Sequence, residues 1–175
     1  MKTLLAIMTL SALTVGGLAQ ASAEAEITWH EPENYTDIRA ANESRSKFRE
    51  RTTKQLQEYI VELSESLPEG YKLMMTVRDL DLAGQVWPGS FVGLHSASDV
   101  RLIKRIDIPR MTFDYQLLDD QGQTLKQEEN VKLKDMSFQD RHNPFFDSEV
   151  LRYEKNMLKQ WFTDTFGEYQ VKDKE

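Results

Sequence analysis

Histidine, serine, carboxylate and arginine are the side chains here with chemistry to offer, because the 175-residue chain has no cysteine. That absence removes disulfides, thiolate metal sites, a cysteine nucleophile and the lipid-bearing cysteine of envelope lipoproteins. Three histidines remain, His30, His95 and His142, all in segments that read as loops. A transition-metal site needs three or four convergent ligands. No pair of these histidines has the helical or hairpin spacing that brings ligands together, so neither a metal nor another cofactor is expected. Ser96 and Ser98 lie beside His95, but a triad is defined by geometry rather than by nearness in sequence. The chain carries no G-x-S-x-G and no phosphate-binding glycine loop, so no catalytic residue is assigned.

Binding offers more. Trp87, Phe91 and His95 stand among Gly84, Gly89 and Gly93. Aromatic side chains on such a loop can form a binding lip, or they can anchor the loop by burial, which is where aromatic rings contribute most. Arg101, Lys104, Arg105 and Arg110 form a basic run in an acidic chain. Such a run can meet the phosphates of lipid or lipopolysaccharide, or it can be a solvated face paired with neighbouring carboxylates. Trp87, Phe91, His95, Arg101, Arg105 and Arg110 are the candidate ligand-binding residues. Asp79-Leu80-Asp81-Leu82-Ala83-Gly84 alternates acid and apolar residues. It lacks the longer acidic ladder of a calcium loop and reads as a capped turn.

The elements that must carry these residues follow from periodicity. Ala25, Ile27 and Trp29 alternate as a short strand, and Tyr71, Leu73, Met75 and Val77 as a clearer one. Between them, Phe48, Leu56, Tyr59, Ile60, Leu63 and Leu67 predict a helix over about 43–67, with Asn42 as N-cap and Pro68-Glu69-Gly70 as its stop. A long loop over 80–99, with room for a short strand or edge inside it, leads to a strand over 100–108. The strand of Met111, Phe113, Tyr115 and Leu117 turns at Asp119–Gly122 and returns over 123–133. A second loop, 135–146, precedes a helix capped by Asp147 or Ser148, with Leu151, Leu158, Trp161 and Phe162 on its apolar stripe and Gly167 at its end. The expected fold is α+β: a small, mostly antiparallel sheet of about four strands with two helices packed on one face. Trp161 is expected in the core.

The N-terminus reads as an export signal. Lys2 gives a minimal positive start, Leu4 to Leu18 an apolar core, and Ala19-Gln20-Ala21-Ser22-Ala23 a small-residue exit. The apolar run is shorter than the ~20 residues a bilayer span needs, and cleavage is expected after Ala23, with Ala21 as the alternative. The organisation is then a signal peptide over 1–23, one domain over 24–168 and a flexible tail over 169–175, with no integral membrane span and no lipid anchor. The formal net charge is −7, and losing Lys2 with the leader makes it −8. That balance argues against a nucleic-acid partner, which calls for a basic face.

Four segments together resemble a known family: Tyr35-Thr36-Asp37-Ile38, Val77-Arg78-Asp79-Leu80-Asp81-Leu82-Ala83-Gly84, Ile106-Asp107-Ile108-Pro109-Arg110, and the stretch from Leu151 to Phe162. Their order and spacing are similar to the bacterial family catalogued as domain of unknown function 3016, found mainly in proteobacteria with export signals. The resemblance covers nearly the whole mature chain. It implies a bacterial origin and a periplasmic location, and it brings no activity or catalytic residue. The expected function is a non-enzymatic module that binds an envelope protein or an anionic envelope component. The rival is a small hydrolase or metal-dependent enzyme using the loops 84–99 and 135–147.

Overall fold

A computed structural model describes residues 23–95 and 98–171. The expected export signal lies outside the described residues, apart from Ala23. Six strands and two helices follow in the order β1 (Glu24–Trp29), α1 (Arg45–Ser64), β2 (Lys72–Asp81), β3 (Gln85–Pro88), β4 (Asp99–Leu102), β5 (Arg110–Leu118), β6 (Thr124–Lys134) and α2 (Arg152–Phe166). The main sheet has the order β1-β2-β5-β6, and β3 and β4 form a separate two-stranded ribbon. The fold is α+β as expected. The sheet is mixed: β1 lies parallel to β2 because α1 carries the chain back between them, while β2–β5 and β5–β6 are antiparallel.

One face of the sheet makes the core. Leu73, Met75, Val77 and Leu80 of β2 and Met111, Phe113, Tyr115 and Leu117 of β5 are buried. Against them pack Phe48, Leu56, Tyr59 and Ile60 of α1 and Met157, Leu158, Trp161, Phe162 and Phe166 of α2. Trp161 sits where the sequence places it. Its ring meets Phe113 at 4.7 Å and Tyr115 at 5.3 Å between centroids, edge to face in both cases.

A β-bulge in β2 sets up the candidate site. Strict alternation after Leu73, Met75 and Val77 would turn Asp79 and Asp81 into the core. The register with β5 shifts between Val77 and Asp79, so Leu80 and Leu82 face inward and are buried. Asp79 is freed to accept from the Thr36 backbone N–H at 2.7 Å and the Thr36 hydroxyl at 2.6 Å. The connector after β1 thereby lies along the end of β2, where Asp37 and Asp81 form a parallel bridge.

Several local expectations are corrected. The strand read over 100–108 ends at Leu102, and the Asp107 N–H instead closes a turn on the Lys104 carbonyl. Ser44 rather than Asn42 precedes α1, and the Asn42 amide donates to the Asp99 carbonyl at 2.9 Å. The buried Leu151, rather than Asp147 or Ser148, is the residue before the first turn of α2. Gly167 does stand at the end of α2 as expected, with a right-handed φ of −56°. Tyr169–Val171, read as the start of a loose tail, are tied down: the Val171 N–H and the Gln170 amide both donate to Ser66. Residues 172–175 lie outside the described residues.

Candidate functional site

The connector after β1, the turn after β2, the β3–β4 ribbon and the start of α2 meet at one end of the molecule. Arg101 of β4 holds them together. Its guanidinium donates to both oxygens of Asp37 at 3.0 and 3.4 Å, to the carbonyls of Ala83 and Gly84 at 3.3 and 3.0 Å, and to the Arg39 carbonyl at 2.9 Å. Both charged side chains are about four-fifths buried. A planar fork of five donors suits this set of acceptors, and an ammonium would not reach them all.

Gly84 allows the approach. Its φ is +78°, and a Cβ there would lie 2.5 Å from the Leu102 carbonyl oxygen. The ribbon therefore folds back against the turn only because this residue has no side chain.

Glu154, in the first turn of α2, is 2% exposed. Its carboxyl accepts from the Ala83 N–H at 2.7 Å. Burial pushes its pKa above the ordinary value, and the Ala83 hydrogen bond and the Arg101 charge only partly oppose this. Asp81 is also raised, again chiefly by burial, against the pull of the Arg110 guanidinium 2.6 Å away.

Two clefts flank the Asp37–Arg101 pair. The first, about 520 Å³, has an apolar floor of Phe48, Leu82, Ile103 and Leu151, with Arg101 and Glu154 in its wall. Its volume lies in the range of small-molecule sites. The second, about 630 Å³, is lined by Tyr35, Asp37, Asp81 and Trp87 and by three arginines, Arg39, Arg45 and Arg49.

The six sequence candidates fall in different places. Arg101 and Trp87 line the two clefts. Trp87 is half-buried beneath the Lys104 ammonium, 4.5 Å from its ring centroid. Phe91 is 78% exposed and His95 is exposed, and neither lines these clefts. The basic run is engaged throughout: Arg101 with Asp37, Arg105 with Asp140 at 2.6 Å, and Arg110 with Asp81 at 2.6 Å. Sequence reasoning missed Glu154, which reads as an ordinary helix-surface acid, and the trio Arg39, Arg45 and Arg49. The i, i+4 spacing of Arg45 and Arg49 was the available signal for the latter.

Among the described residues no helix is long and apolar enough to cross a membrane, and no group of three or more histidine or carboxylate side chains is placed to hold a metal. No curated protein and no solved structure matches the chain. Three of the segments that carry the family resemblance, around Asp37, Ala83 and Glu154, are the ones that converge on Arg101 and the first cleft. A family model matches residues 23–164, and the chain belongs to that family, described as protein of unknown function (DUF3016).

Proposed function

We propose that the mature chain is an exported periplasmic module that binds an envelope component without transforming it. The first cleft supports this reading: an apolar floor within a polar rim, built where the connector, the β2 turn, the ribbon and α2 meet. Its polar groups serve the fold. Arg101 is spent on Asp37 and three carbonyls, and Glu154 holds the Ala83 N–H. The floor of Phe48, Leu82, Ile103 and Leu151 lies beneath a rim that includes Asn42 and Arg152. This suits a ligand with an apolar body and a hydrogen-bonding head. The rival reading, a hydrolase on the loops 84–99 and 135–147, has less support: His95 and His142 are exposed and lie off both clefts. Export rests on the Lys2, Leu4–Leu18 and Ala19–Ala23 pattern.

Titration with the neutral apolar fluorophore N-phenylnaphthylamine tests the binding role. The mature protein is expected to enhance its emission saturably at one site, and Ile103→Trp, which fills the floor, is expected to abolish the enhancement while the melting temperature holds. Equal enhancement by the filled variant would contradict the proposal.

A further inference from the structure

The second cleft carries its own signal. Arg39, Arg45 and Arg49 line it, and among the described residues none of their guanidinium groups makes an ion pair or a hydrogen bond. The carboxylates of the same wall are mostly spoken for. Asp37 is held by Arg101 and Asp81 by Arg110, leaving Glu33 as the acid without an ion pair. In an acidic chain, three free guanidiniums against one free carboxylate make a local surplus of positive charge.

The placement works against the fold. Arg45 and Arg49 occupy the first two turns of α1, which has no acidic residue in its first turn and no side-chain cap from Ser44. The helix N-terminus carries partial positive charge, so cations there are unfavourable unless an anion joins them. Trp87, in the same wall, keeps its indole N–H buried without an acceptor.

We infer that this cleft binds the phosphate group of a phosphate-bearing ligand, held by Arg39, Arg45 and Arg49. A phosphate monoester carries close to two negative charges at neutral pH and three acceptor oxygens, which matches the local surplus and suits several guanidinium forks at once. The part of the ligand beyond the phosphate lies against Tyr35 and Trp87 on the same wall. The two clefts share Arg39, but Arg45 and Arg49 line only this one and Ile103 only the apolar one, so each can fail without the other.

Calorimetric titration of the mature protein with phenyl phosphate, and flotation with phosphatidylglycerol against phosphatidylcholine vesicles, test it. Saturable binding of phenyl phosphate that weakens with salt is expected for a soluble ligand. Selective flotation with phosphatidylglycerol alone would place the phosphate on a membrane surface. In either arm, combined Arg45→Gln and Arg49→Gln should lower affinity on the order of tenfold or more, through loss of charge-assisted hydrogen bonds. Arg105→Gln, whose partner Asp140 lies outside the cleft, should leave affinity unchanged. The double variant should melt no lower than the parent, because it removes cations from a helix N-terminus. Absence of binding in both arms, or equal binding by the double variant, would overturn the inference.

Discussion

The carboxyl of Glu154 accepts a 2.7 Å hydrogen bond from the backbone N–H of Ala83, 71 residues earlier in the chain. This contact docks the first turn of α2 on the turn after β2, and it puts a buried acid in the wall of the apolar cleft. Its consequences are measurable.

Glu154 should make stability depend on pH. Its folded-state pKa lies above the ordinary value of 4.5, chiefly through burial. The folded state therefore holds the proton more tightly than the unfolded state. The stabilisation linked to that proton is complete below the unfolded pKa and is lost as pH rises through the folded one. Glu154→Gln keeps an oxygen for the Ala83 N–H and does not titrate. Denaturant unfolding should show the two proteins tracking each other below about pH 4.5, with the variant gaining relative stability above it. A gap that closes or reverses as pH rises would refute this account.

Arg101 should be the electrostatic keystone of the ribbon. Arg101→Ala removes a fork that serves Asp37 and the carbonyls of Arg39, Ala83 and Gly84. Breaking a fully buried pair costs ~3–5 kcal/mol, and the partial exposure here lowers the expectation to roughly 2–3 kcal/mol. Arg101→Lys should recover only part of that, because an ammonium cannot span those acceptors. Full recovery by lysine in urea unfolding would show that charge alone matters.

Trp161 is packed edge to face on Phe113, Tyr115 and Phe166. Trp161→Ala should cost on the order of 3–5 kcal/mol from lost burial and the cavity left behind. Domains have ~5–15 kcal/mol of stability in total, so the thermal midpoint should fall steeply. An unchanged melt would mean that α2 is not anchored to the sheet as described.

Export processing has a structural corollary. Cleavage after Ala23 would make Glu24 the first residue of the mature chain and of β1, and its nitrogen already donates to the Tyr71 carbonyl at 2.9 Å. The new ammonium keeps that bond. Mass spectrometry of periplasmic protein should show an N-terminus at Glu24, and a product beginning at Met1 would contradict export.

Periodicity made much of this fold legible, because one apolar face per element leaves a clear trace. The alternation of Leu73, Met75 and Val77 and the helical stripe around Trp161 are both set by burial on one side. The bulge after Val77 left only a weak sign, the arrival of Asp79 and Asp81 where apolar residues were due. The site was less legible because its partners are distant in sequence. The basic run around Arg101 shows as charge, but Asp37, Asp140 and Asp81 lie 64, 35 and 29 residues from Arg101, Arg105 and Arg110. Glu154 is buried only because α2 meets the Ala83 turn, and no local pattern encodes that.

Amide chemical-shift mapping of the mature protein during titration with N-phenylnaphthylamine tests the binding role most directly. Shifts confined to Arg39–Glu43, Phe48, Leu82–Ala83, Arg101–Ile103 and Asp147–Glu154, saturating together, are the predicted result, since these segments wall the apolar cleft. Shifts confined to the far face of the sheet around Thr112 and Asp114, or no saturable response, would contradict it.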